Sequence, residues 1–200
     1  HFDLLRLFGP IYKEEPNAKA IAYRTTYDRV PTPILTAQAV VEAVLKDLHE
    51  AENLLKSSDP LDFFTDPYDE GYKSKNGFLI NREFRMNLFA VKAMLARVYC
   101  YKGDAESKAL ALKYAREVID ANQHFKLIDA QSAANYNSIR YSEQIFGLSV
   151  YELDKLLTAN GMDAEGERSD MHYTTSESHF NEFFETAGVG VTDWRELPEM

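Results

Sequence analysis

Between Asn87 and Asp120 the chain reads NLFAVKAMLARVYCYKGDAESKALALKYAREVID, a spacing that predicts two antiparallel helices joined at Gly103-Asp104. Leu88, Val91, Leu95, Val98 and Tyr99 recur at helical intervals on one side of the first segment, while Ala90, Ala93, Ala96 and Cys100 fall on the other. A helix that is apolar on two sides is expected to lie between neighbours, and the small residues let a partner backbone come close. Gly103 supplies a left-handed end for the first helix, and Asp104 is a favoured residue to start the next. In the second segment Leu110, Ala111, Tyr114, Ala115, Val118 and Ile119 share a broad apolar face, leaving Lys113, Arg116, Glu117 and Asp120 to solvent. Tetratricopeptide-type repeats are built from hairpins of this kind.

Elsewhere the chain is divided by proline and glycine. HFDLLRL at residues 1–7 has helical apolar spacing at Phe2 and Leu5, extended by Leu4 and Phe8, with no capping residue ahead of it. The sequence is therefore expected to begin inside a helix, with any targeting region upstream of His1. The run from Thr192 to Pro198 reads as the entrance to another element, so both termini are expected to be truncated. Gly9-Pro10 ends the first helix, and residues 10–35, with Pro16, Pro31 and Pro33, are expected to form an extended connector. Thr36 then caps a long helix with an apolar stripe of Val40, Val41, Val44, Leu48, Ala51 and Leu55. Glu42, Lys46, His49, Glu50, Asn53 and Lys56 are expected on its opposite, solvated side. Ser57 to Asn81 reads as a loop, after which Asn81 or Arg82 begins the hairpin. Farther on, Phe125 to Ile128 is a short extended piece, Gln144 to Val150 (QIFGLSV) is the one strand-like run, and Glu177 to Thr186 is a last short helix.

The chain's 200 residues are enough for one domain with a substantial core, or for part of a larger one. Its net charge of −10 and the lack of any Lys/Arg cluster argue against nucleic acid as a partner. The single cysteine, Cys100, precludes a disulfide within the chain, and its place among alanines predicts a buried structural thiol. No apolar run approaches the ~20 residues of a membrane span.

Five segments, taken in order, carry a family resemblance: HFDLLRLFG at 1–9, the Tyr23-Arg24-Thr25 connector, the long helix ending in KDLHEAENLL at 46–55, the hairpin segments FAVKAMLARVYCYKGD at 89–104 with LKYAREVID at 112–120, and SEQIFGLSV at 142–150 with the later Asp193-Trp194-Arg195 turn. Their succession resembles the SusD/RagB family, surface nutrient-binding lipoproteins that work with TonB-dependent transporters in Bacteroidetes outer membranes. Two departures stand out. A few extra residues lie between Gly103-Asp104 and Tyr114-Ala115, and residues 152–175 match nothing in the pattern. The resemblance implies a mainly α fold of tetratricopeptide-like helical hairpins with long irregular loops and a little strand, with residues 1–200 forming part of a single helical domain. It also implies an N-terminal lipid anchor outside this chain, a SusC-like TonB-dependent transporter as partner, and a glycan or, in some members, a peptide held by loops. No catalysis, cofactor or metal is implied. The family's ligand contacts follow no motif, so no binding residue is carried over from it.

Candidate contacts are therefore read from the residues themselves. Phe64, Tyr68 and Tyr72, with Phe63, Phe78 and nearby acids, can offer flat rings to the apolar face of a pyranose and carboxylates to its hydroxyls. The plainer reading is that these rings tether a loop to the helices. Asp66 to Gly77 lacks the alternating oxygen ligands of a calcium loop. Tyr151 and Tyr173 stand near His172, His179 and several acids, but no HExxH-like spacing exists, and a solvated loop is the plainer reading there too. Trp194, the sole tryptophan, is a ligand-stacking candidate, but its place between Asp193 and Arg195 makes a packing role the plainer reading. Two other classes compete. An α-helical glycoside hydrolase would need two carboxylates at a set separation, and no motif selects a pair. A tetratricopeptide scaffold for partner peptides should repeat its ~34-residue unit, which only residues 87–121 do clearly.

Overall fold

The helix boundaries follow from three side-chain caps, each placed one residue before its helix. In the computed structural model, which describes residues 1–59, 82–127, 143–148, 150–153 and 155–156, Thr36 Oγ1 accepts from the Ala39 N–H at 3.2 Å and opens α2 (Ala37–Leu55). Asn87 Oδ1 accepts from the Ala90 N–H at 2.8 Å and opens α3 (Leu88–Lys102). Asp104 Oδ1 accepts from the Ser107 N–H at 2.8 Å and opens α4 (Ala105–Ile119). Each cap satisfies a backbone donor that the helix itself leaves without a partner. Ahead of them lie α1 (Phe2–Phe8) and two short antiparallel strands, β1 (Lys19–Ala22) and β2 (Ile34–Thr36), with Lys19 opposite Thr36 and Ala22 opposite Ile34. A single 3-10 turn, Arg82–Phe84, precedes α3. The fold is mainly helical.

The chain divides into two units: residues His1–Lys126 with Ser142–Gly147, and Leu127–Tyr141 with Leu148–Met200. In the first, α3 and α4 form an antiparallel hairpin. Gly103 ends α3 at φ 76°, a left-handed conformation that a side chain would strain, and its N–H bonds to the Tyr99 carbonyl. Lys92 near the start of α3 reaches Glu117 near the end of α4 at 3.2 Å.

The core is built on α3. Val98 joins Phe2 and Leu5 of α1 and Ala37, Val40, Val41 and Val44 of α2 in one buried cluster. Val91, Leu95 and Tyr99 form a second with Tyr114 of α4, onto which Leu48, Ala51 and Leu55 of α2 also pack. The side of α3 that carries Val91, Leu95, Val98 and Tyr99 thus supplies residues to both clusters, while Phe89 and Ala90 are buried next to it near the helix start. Ala96 packs against the second cluster, where its small side chain admits α4.

Several expectations are corrected. The connector at 10–35 is not simply extended, because Lys19–Ala22 within it pairs with Ile34–Thr36 as β1 and β2, with Pro31 and Pro33 in the turn between them, where a missing N–H costs no ladder bond. The hairpin does not begin at Asn81 or Arg82; the Asn87 cap sets its start at Leu88. No strand forms over the described part of QIFGLSV, where the Ile145 carbonyl accepts from Asn87 Nδ2 instead of from a neighbouring strand. Phe125, at the start of the piece expected to be extended, packs edge-on against Phe89. Cys100 is exposed, since it lies on the side of α3 away from both clusters. Leu4, Phe8 and Ile119 are exposed, while Phe2 and Leu5 carry the packing of α1. The helix expected at 177–186 lies outside the described residues.

These contacts set a contrast in stability. Leu95→Ala should destabilise the protein by about 2–5 kcal/mol by emptying a fully buried site. Cys100→Ser should change stability by no more than about 0.5 kcal/mol. Urea denaturation followed by circular dichroism measures both, and equal losses would contradict the placement of α3.

Candidate functional site

Of the six ring residues singled out as ligand contacts, Phe64, Tyr68, Tyr72, Tyr173 and Trp194 lie outside the described residues. Tyr151 is described, in the second unit, and is exposed. The described structure therefore brings none of the six together. His172 and His179 also lie outside it.

The best-defined polar centre sits where α3 begins. Arg82 donates to the Asp59 carboxylate through Nε at 3.2 Å and Nη2 at 3.1 Å, a forked pair with both side chains buried. Asp59 Oδ2 also accepts from the Leu88 N–H at 2.6 Å, at the positive end of α3. Asn87 Nδ2 donates to the carbonyls of Arg82 at 3.2 Å and Ile145 at 2.8 Å, while its Oδ1 caps the helix. Asp59 and Arg82 flank residues 60–81, the segment that carries Phe64, Tyr68 and Tyr72. The pair is a clasp across that segment and a fixed start for α3. Sequence reading missed it because the partners are 23 positions apart and each alone looks like an ordinary loop charge.

A second centre joins α2, α3 and α4. His49 Nε2 lies 2.7 Å from the Tyr99 hydroxyl, and its Nδ1 lies 3.5 Å from Glu52 Oε2. The Tyr114 hydroxyl donates to the same Glu52 oxygen at 3.2 Å, and Lys56 Nζ lies 3.1 Å from Oε1. The Tyr99 and Tyr114 rings stack in parallel with centroids 6.0 Å apart. Burial pushes the Glu52 carboxyl up, but the bond and charge of Lys56, with hydrogen bonds from His49 and Tyr114, outweigh it and hold the group below its ordinary value of 4.5. Burial, followed by the Glu52 charge, raises the Tyr114 phenol well above its usual range. A carboxylate held charged beside a phenol held protonated is not poised to exchange a proton near neutral pH. His49 was expected among solvated residues and is instead half-buried against Tyr99. The available signal was Glu52, which falls four residues after Leu48 and three before Leu55, inside the apolar stripe.

A third arrangement fastens the turn between β1 and β2. Arg24 donates to the Val30 carbonyl at 2.9 Å, to Thr32 Oγ1 at 3.2 Å, and to both the carbonyl and the carboxylate of Asp28. Tyr23, immediately before it, bonds through its hydroxyl to Asp47 of α2 at 2.5 Å. Among the described residues no group of three or more His, Cys, Asp or Glu side chains is placed to hold a metal ion. No described helix is long and apolar enough to cross a membrane.

Two measurements test the polar centres. Asp59→Ala should cost about 3–5 kcal/mol, because it leaves the Arg82 guanidinium buried without its counter-charge; a loss under about 1 kcal/mol would mean that Arg82 finds water instead. Because the folded-state value of Glu52 is depressed, its stabilisation is complete above the unfolded value near 4.5 and is lost as pH falls through the lower folded value. The melting-temperature gap between the native protein and Glu52→Gln should therefore narrow between about pH 6 and about pH 3, and a gap that widens would reverse the assignment. Comparison of the chain with protein-family models, with curated proteins and with solved structures returns no match.

Proposed function

We propose that this chain is part of a SusD-like surface protein that captures a glycan and delivers it to a TonB-dependent, SusC-like transporter in an outer membrane. The observation that carries the reading is the order of segments, now with its helices in place: a short α1, a long α2 ending in KDLHEAENLL, and the α3–α4 hairpin turning at Gly103-Asp104. In this reading the hairpin is tetratricopeptide-like and belongs to the rigid platform, while irregular segments hold the ligand. The six ring residues, from Phe64 to Trp194, remain the candidate contacts. Attachment to the membrane is through a lipid anchor upstream of His1.

Capture and delivery require no bond to be made or broken in the ligand, and no cofactor. The platform contributes stiffness: a surface that does not rearrange loses less entropy on binding than a flexible one. Release follows the transporter's own cycle.

The test is a polysaccharide-binding assay on the purified full-length protein with the products analysed by chromatography. The reading predicts retention on at least one polysaccharide and no shortening of it after prolonged incubation. Release of oligosaccharide products would replace it with a hydrolase, and binding to peptides alone would move it to a peptide-capturing role.

A further inference from the structure

The turn between β1 and β2 is held together by its own residues, and one large side chain in it takes no part. The Arg24 guanidinium gathers the carbonyls of Asp28 and Val30 and the Thr32 hydroxyl. The Asp28 carboxylate in turn accepts from the Thr26 hydroxyl at 2.6 Å and the Val30 N–H at 2.8 Å. These two bonds, with that of Arg24, keep its carboxyl below the usual range despite some desolvation. Strand pairing closes the base of the turn, and the His1 ring stacks on Tyr23 with centroids 4.2 Å apart. Pro31 and Pro33 restrict the backbone on the return side.

Tyr27 stands at relative exposure 108 %, with neither a hydrogen bond nor a ring partner among the described residues. Two positions on, the exposed Arg29 has no acidic partner among the described residues, on a chain whose net charge is −10. A tyrosine offers a large stacking area at the cost of only two torsions, and a backbone fixed beforehand removes most of the remaining ordering cost. The phenol face matches the C–H face of a pyranose, and a free guanidinium fork matches the oxygens at its edge. The acidic surface disfavours a polyanion such as nucleic acid in the same place.

We propose that the Arg24-fastened turn, residues 24–32, is a saccharide-contacting site in which the Tyr27 ring stacks on a pyranose and Arg29 donates to its oxygens. This rests on the glycan-capture reading above and adds a site outside the six ring residues singled out from the sequence. Arg24 acts as a positioning residue, since it holds the turn that presents the ring.

Isothermal titration of the full chain with gluco-, manno-, xylo- and galacto-configured hexasaccharides tests it, with thermal melting run in parallel. For a hexasaccharide that the native protein binds, Tyr27→Ala should weaken affinity by about tenfold or more with no change in melting temperature, because the ring is fully exposed and has no ring or hydrogen-bond partner among the described residues. Tyr27→Phe should bind as the native protein does, and Arg24→Gln should weaken binding although the ring is still present. Native affinity in Tyr27→Ala would overturn the site and leave glycan capture standing. Failure of the native protein to bind any of the hexasaccharides would overturn both.

Discussion

The first unit depends on the burial of one helix, α3, against three others. Val98 fits α3 against α1 and α2, and Leu95 fits it against α4, and both residues are fully buried. Apolar area removed from water stabilises by roughly 25 cal/mol per Å², so a helix buried this way contributes far more than an amphipathic surface helix of equal length. The same arrangement restricts sequence choice. Ala96 is small where α4 packs against the second cluster, and Gly103 takes the one backbone conformation that turns the chain back at once.

Polar groups then decide where this apolar packing begins and how its helices are joined. Asn87 caps α3 and reaches the Ile145 carbonyl, so a single side chain fixes the helix start and an irregular segment far along the chain. The Asp59–Arg82 pair holds the two ends of residues 60–81 at the same place. Glu52 performs the corresponding task between helices, accepting from Tyr114 of α4 and lying beside His49, which meets Tyr99 of α3. Buried charges of this kind add little net stability over apolar replacements, but breaking one partner is costly. Their effect is to specify one arrangement of helices that could otherwise slide along an apolar seam.

What could be read from the sequence divides along the same line. Local signals were legible: the caps at Thr36 and Asp104, the left-handed Gly103, and the stripe through Val40, Val41 and Val44 all stand where residue spacing puts them. Contacts between distant residues were not legible, because nothing in a local pattern encodes them. The Asn87–Ile145 bond turned an apparent strand into an irregular segment, and the Tyr99 hydroxyl drew His49 away from the solvated side. Cys100 was misjudged for a related reason, since an alanine-rich neighbourhood gives composition but not which side of the helix the neighbours cover. Of the ring residues expected to contact ligand, only Tyr151 falls where the structure describes it, while Tyr27 draws notice only once the bonds around Arg24 are seen.

A helical hairpin packed on α1 and α2, with Tyr27 exposed in the turn between β1 and β2, suits the proposed task of holding a molecule without changing it. That view stands or falls with the cooperativity of α2, α3 and α4, and hydrogen exchange resolved by residue measures it most directly. The account predicts that the amides from Leu95 to Tyr99 exchange slowest, and that they open together with those of Val40 to Val44 at the free energy of global unfolding. Amides of α3 that exchange as fast as those on the exposed side of α4, independently of α2, would contradict it.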